Sequence, residues 1–143
     1  MARGDAGDAM ALGEAVIVAG IGCRRGATVD EVEAAIEAAL KAAGRAPEAL
    51  SLIATSDGKG GEPGIVAASL ARGVPLVLVG PADLEAAGTR TQSSSPRVLA
   101  LTGVPSVAEA AALAAAGPTA RLLLPRIVVG PVTCAFATTD NTP

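Results

Sequence analysis

The chain has 143 residues, enough for one domain with a real core. Half of its residues are hydrophobic, yet it has no His, Trp or Tyr, and Phe136 is its single aromatic residue. That composition excludes a histidine general base, a Ser-His-Asp triad and a His-ligated metal. It also leaves no aromatic platform for stacking nucleic-acid bases, and the formal net charge of −3 supplies no basic field for DNA or RNA.

The two cysteines, Cys23 and Cys134, stand far apart and form neither a CxxC unit nor a zinc pattern. No metal site and no cofactor are expected, and a reduced, cytoplasmic protein is the simplest reading. No apolar segment reaches about 18 residues without a charge or a Gly/Pro break, so no membrane span is expected.

Residues 1–13 are Gly/Ala/Asp-rich and read as a disordered leader. An apolar run from Ala15 to Gly20 reads as a buried strand. A glycine-rich turn, Gly20-Ile21-Gly22-Cys23-Arg24-Arg25-Gly26-Ala27-Thr28, is expected to follow it. Thr28 and Glu31 form a capping box. Val29, Val32, Ile36 and Leu40 then mark one face of a helix over 28–43, with Gly44 as its stop and Glu37–Lys41 as an outer i, i+4 pair.

Leu50 to Thr55 reads as a second strand, leading into the polar loop Ser56-Asp57-Gly58-Lys59-Gly60-Gly61-Glu62. Pro63 suits the first turn of a helix that ends at Gly73. Pro75 to Val79 is a third strand, and a short helix starts at 80–84. Residues 88–96 read as a polar, mobile loop and 97–101 as a short extended piece. Ser106 and Glu109 make a second capping box for a helix running to about Ala116, stopped by Gly117-Pro118. Ala120–Leu124 and Val132–Ala137 read as closing strands, joined by a hairpin-like turn over 125–131. The order predicts an α/β fold: a single-domain, layered α/β/α arrangement over 14–138, with a mixed, mostly parallel sheet, an antiparallel C-terminal edge and a short tail at 139–143.

Strand-to-helix loops of a parallel sheet gather on one edge, where ligands bind. Three loops carry chemistry here: 20–28 with Cys23, Arg24, Arg25 and Thr28; 55–64 with Thr55, Asp57, Lys59 and Glu62; and 101–109 with Thr102, Ser106 and Glu109. Each also has a plain reading, as a tight turn, a solvated loop and a helix cap respectively. The spacing Gly-x-Gly-x-x-x-Gly misses the dinucleotide fingerprint, and the phosphate-loop pattern is absent. A glycine-rich turn at a helix start with two arginines is a place for an anion. In the 55–64 loop, Lys59 can hold a carboxylate or polarise a carbonyl, and Glu62 can serve as acid or base. Cys23 lies where a helix start and arginines lower a thiol pKa, but no base accompanies it.

Gly-Ile-Gly-Cys-Arg-Arg-Gly at 20–26, Lys59-x-x-Glu62-x-Gly64, and Thr-Gly-Val-Pro-Ser-Val-Ala-Glu-Ala-Ala-Ala-Leu at 102–113 together resemble the CobE and CbiG C-terminal domain family of cobalamin biosynthesis. The closing strand, 132–137, is similar to the end of that domain, so the resemblance covers roughly 15–138. It implies an α/β domain acting on a corrin-ring precursor, with a precorrin or cobalt-precorrin tetrapyrrole and other pathway enzymes as partners. In full-length CbiG the reaction opens the ring-A lactone of cobalt-precorrin-5A and releases acetaldehyde. Carried over, the binding residues are Gly20, Gly22, Cys23, Arg24, Arg25, Thr28, Thr102, Gly103, Ser106 and Glu109. If a lactone is hydrolysed, Glu62 activates water and Lys59 stabilises the oxyanion. The alternative is a non-catalytic corrinoid carrier that hands an intermediate to the next enzyme. A third reading, independent of the resemblance, is a small phosphate or nucleotide ligand.

Overall fold

The computed structural model describes residues 16–59, 62–88 and 107–139. The expectations for the leader, the 88–96 loop (beyond Gly88), the 97–101 piece, Thr102, Gly103, Ser106 and the end of the tail lie outside the described residues.

Strand β1 spans Ile17–Cys23, followed by α1 (Val29–Ala43), β2 (Leu50–Ser56), α2 (Pro63–Arg72), β3 (Leu76–Val79), α3 (Pro81–Gly88), α4 (Val107–Ala116), β4 (Arg121–Val129) and β5 (Val132–Thr138). The strands form one sheet in the order β3-β2-β1-β5-β4. β1 pairs parallel with β2, and β2 with β3. β5 runs antiparallel to both β1 and β4. This is the mixed α/β sheet the element order implies, with its antiparallel pairings on the C-terminal side.

Side chains alternate across the sheet and so create two cores. Ile17, Ala19 and Ile21 of β1 join Ile53, Cys134 and Phe136 on one face, under Val32, Ile36 and Leu40 of α1 and Ile65 of α2. Val18, Ala54 and Ala137 face the other way, under Leu84 of α3 and Ala110, Ala111 and Leu113 of α4. Helices therefore cover both faces.

The local helix signals act as read. Thr28 Oγ1 accepts from the Glu31 N–H at 3.1 Å, and Glu31 Oε1 accepts from the Thr28 N–H at 2.9 Å. Gly44 and Gly73 end α1 and α2 in the left-handed region, at φ of 68° and 65°. Glu37, expected to pair with Lys41, meets Arg72 Nη2 at 3.3 Å instead, and Glu33 binds the same guanidinium. That cluster ties α1 to α2.

Two further expectations are corrected. Gly20-Ile21-Gly22 is strand, not turn: it continues β1, with Gly20 opposite Ala135 and Ile21 opposite Cys134. The turn proper is only Arg24-Arg25-Gly26. Likewise 125–131 is not a turn, because β4 continues through Pro125 to Val129 and the reversal is Gly130-Pro131. β4 is an edge strand, where a proline without an N–H is tolerated, and the β4–β5 register shifts between Leu124 and Ile127, on either side of it.

Candidate functional site

β1, β2 and β3 run parallel, so their ends at Cys23, Ser56 and Val79 lie on one edge of the sheet. β4 runs against β5, as β1 does, so Gly130-Pro131 reaches the same edge. The Arg24 N–H donates to the Pro131 carbonyl at 3.1 Å. The first turn of α4 is there too: a Cβ on Gly22 would sit 3.9 Å from Val107 Cβ and from Ala108 N. The chain thus reverses beside β1, a position where open α/β sheets place ligands.

The Arg24–Gly26 turn is exposed and closed by the Ala27 N–H, which donates to the Arg24 carbonyl at 3.2 Å. Gly26 has a φ of 85°, a conformation that favours glycine. Its N–H donates to Glu62 Oε1 at 3.0 Å. Gly64 presses against the same segment, since a Cβ there would lie 2.3 Å from the Ala27 carbonyl oxygen. Between the starts of α1 and α2 lies a cavity of about 320 Å³, lined by Gly26 to Val29 and by Pro63, Gly64 and Ala67. Lys59 ends the short 3-10 turn Asp57–Lys59 that follows β2. Asp57 reaches toward the β3–α3 junction, 3.8 Å from where a Cβ on Gly80 would stand.

The structure therefore gathers Arg24, Arg25, Thr28, Glu62 and the Asp57–Lys59 turn on one edge. Cys23, half-buried at the end of β1, borders them. Other residues singled out in the sequence lie inside. Gly20 is buried against α4, where a Cβ would meet the Ala108 carbonyl oxygen at 1.9 Å. Thr55 is fully buried and its hydroxyl donates to the Ile21 carbonyl at 2.7 Å. Glu109 is fully buried as well, and its Oε2 accepts from the Arg126 N–H at 2.9 Å, where the β4 register breaks around Pro125.

The part played by Pro131 was not legible as a site feature. The signal for it is β5 itself: a final strand antiparallel to β1 must carry its preceding turn to the β1–α1 loop. Cys134 is the other thiol, and burial pushes it up to about 12, against the opposing influence of Arg72. It is a core residue. Among the described residues, no group of three or more His, Cys, Asp or Glu side chains is placed to hold a metal ion, and no helix is long and apolar enough to cross a membrane.

A family model described as cobalamin synthesis G C-terminus matches residues 17–137. A protein named CobE from Sinorhizobium sp. is 42% identical over 121 residues, which cover 85% of this chain and 79% of that one. Among solved structures, CobE from the cobalamin (vitamin B12) biosynthetic pathway superposes with a TM-score of 0.77 at 37% identity, over 87% of this chain and 90% of that chain. The cobalamin biosynthesis protein chiG from Agrobacterium tumefaciens is 45% identical with a TM-score of 0.71, over 88% of this chain and all of the other, at 100%. A cobalamin biosynthesis protein G homologue from Sulfolobus solfataricus shares the fold, with a TM-score of 0.66 at 23% identity.

Proposed function

This chain belongs to the cobalamin synthesis G C-terminus family, the family of CobE and CbiG in cobalamin biosynthesis, and from that premise we propose that it binds a carboxylate-rimmed tetrapyrrole intermediate at the carboxyl edge of its sheet. The observation that carries the reading is the fastening of the exposed Arg24-Arg25 turn to the start of α2 through Gly26 and Glu62. Precorrins are large tetrapyrroles edged with acetate and propionate groups. Such a rim needs several separated cationic or N–H contacts beside an apolar surface. The diarginine turn, the starts of α1 and α2 and Lys59 supply the former. The Ala27, Val29 and Ala67 wall of the cavity supplies the latter.

A charge-assisted contact to a carboxylate contributes about 1.5–3 kcal/mol, and exposed ones lie at the low end. Three of them correspond to affinities of roughly millimolar to micromolar. That range suits a protein that holds an intermediate and passes it to the next pathway enzyme in the cytoplasm. The binding reading is preferred over lactone opening because one Glu62 oxygen is already engaged by a main-chain N–H.

The test is an absorption titration of the protein with the ring-contracted precorrin, alongside an assay for released acetaldehyde. Saturable binding that weakens about tenfold or more in Arg24→Ala/Arg25→Ala, without acetaldehyde, is the expected result. Acetaldehyde release dependent on Lys59 and Glu62 would establish the hydrolytic reading instead. Affinity unchanged in the double variant would remove the proposed site, and preferential stabilisation by nucleotides in a thermal-shift panel would favour a phosphate ligand.

A further inference from the structure

Glu62 occupies the N-cap position of α2, with φ −67° and ψ 116°, yet its side chain makes no capping hydrogen bond to its own helix. An acceptor at that position ordinarily takes an N–H of the second or third helical residue. This one reaches 36 residues back along the chain and takes the Gly26 N–H at 3.0 Å. Pro63 at the first helical position carries no N–H, so the first turn of α2 has one orphan donor fewer to satisfy. Gly64 then lets the helix start lie directly on the Ala27 backbone, which brings Glu62 within reach.

The Arg24–Ala27 turn is fastened at both ends. On the β4–β5 side the tie is between main-chain groups, Arg24 N–H to the Pro131 carbonyl. On the α2 side the tie is to a side chain, that of Glu62. We infer that Glu62 is a positioning residue: its carboxylate holds the Gly26 N–H and thereby fixes the turn that carries Arg24 and Arg25. It acts through those arginines and not as the base for a water. An acceptor oxygen at this position is what matters, and negative charge on it is not required.

The experiment compares Glu62→Gln, which keeps an acceptor oxygen, with Glu62→Ala, which does not. Two readouts are taken on the full chain: amide hydrogen exchange at Gly26 by NMR, and titration with uroporphyrin, a tetrapyrrole rimmed with carboxylates. The second readout rests on the tetrapyrrole reading above; the first does not. In Glu62→Ala the Gly26 amide is expected to exchange about fivefold faster or more, with about three- to tenfold weaker binding. Glu62→Gln is expected to stay within about twofold of the parent in both. Unchanged Gly26 exchange in Glu62→Ala would overturn the inference. So would a Glu62→Gln variant that keeps Gly26 protection yet loses binding as Glu62→Ala does, since that places the charge itself on the ligand. If the parent protein binds no uroporphyrin, the tetrapyrrole reading fails and the exchange measurement still decides the role of Glu62.

Discussion

Substituting Gly20 by alanine tests how α4 reaches the sheet. A Cβ at Gly20 would lie 1.9 Å from the Ala108 carbonyl oxygen and 2.8 Å from the Ala112 nitrogen. Both are backbone atoms of a helix, so no rotamer change relieves the contact. Restoring ordinary van der Waals separation requires α4 to retreat by about 1.5 Å. A gap of 0.5–1 Å already forfeits about a quarter to a half of a contact's dispersion energy, and α4 packs over Val18, Ala54 and Ala137. Overpacking of this kind costs about 1–3 kcal/mol, and backbone-on-backbone contact places it at the upper end. The lower conformational freedom of alanine returns about 0.5–1 kcal/mol. The net loss is about 2–2.5 kcal/mol, which for a domain of this size lowers the Tm by roughly 6–12 °C. The assay is a circular-dichroism melt with a urea titration, in which the midpoint falls and the slope m is unchanged. Gly22→Ala is the control: its Cβ would lie 3.9 Å from its neighbours, in ordinary contact, and stability should hold or rise slightly. A Gly20→Ala protein that melts within about 2 °C of the parent would refute the close approach.

Two other substitutions probe buried titratable groups. Cys134 binds its proton more tightly in the folded state, about 12 against an ordinary value of 9.0. Its contribution is therefore intact below pH 9 and is lost as pH rises from 9 toward 12, by about 1.4 kcal/mol per unit at most. Urea titrations at pH 8 and pH 10.5 should show a steeper decline in the parent than in Cys134→Ala, and parallel declines would show that the thiol is not so buried. Glu109→Ala removes the acceptor of the Arg126 N–H from a fully buried position and is expected to cost about 2–4 kcal/mol by urea titration. Glu109→Gln keeps an acceptor and should lose less than half of that, whereas an equal loss would mean that the carboxylate's charge is the essential feature.

What was legible in the sequence was what is decided locally. Thr28 and Glu31 make their capping box within one turn of chain, so four adjacent residues suffice to announce it. Pro63 and Gly73 bracket α2 for equally local reasons. Pro125 misled because a proline ends a central strand but not an edge strand, and that β4 is an edge depends on the whole strand order. Glu109 reads as the acid of a capping box with Ser106 at the start of a helix. Its burial depends on the β4 register break, 17 residues away, offering an N–H to the interior. Glu62 carried the mark of a reactive residue, a carboxylate beside a lysine in a glycine-rich loop. Its bond to Gly26 depends on two loops meeting across parallel strands, which no spacing within either loop reveals.

The glycines show most clearly how composition can point to the right place for the wrong reason. A glycine in a loop motif suggests a turn, because only glycine readily takes a positive φ. Gly26 fits that logic at φ 85°. Gly20 and Gly64 do not, since neither is among the positive-φ residues; each is required because backbone from another element occupies the space of a Cβ. Gly20 lets α4 settle on β1, and Gly64 lets α2 settle on the β1–α1 turn. The two contacts act from opposite faces of the sheet, one within β1 and one on the Ala27-Thr28 segment that follows it. The motif glycines thus fix the edge by packing, and between them the exposed side chains are those of Arg24, Arg25 and Thr28, carried on a turn whose Arg24, Gly26 and Ala27 N–H groups are already paired.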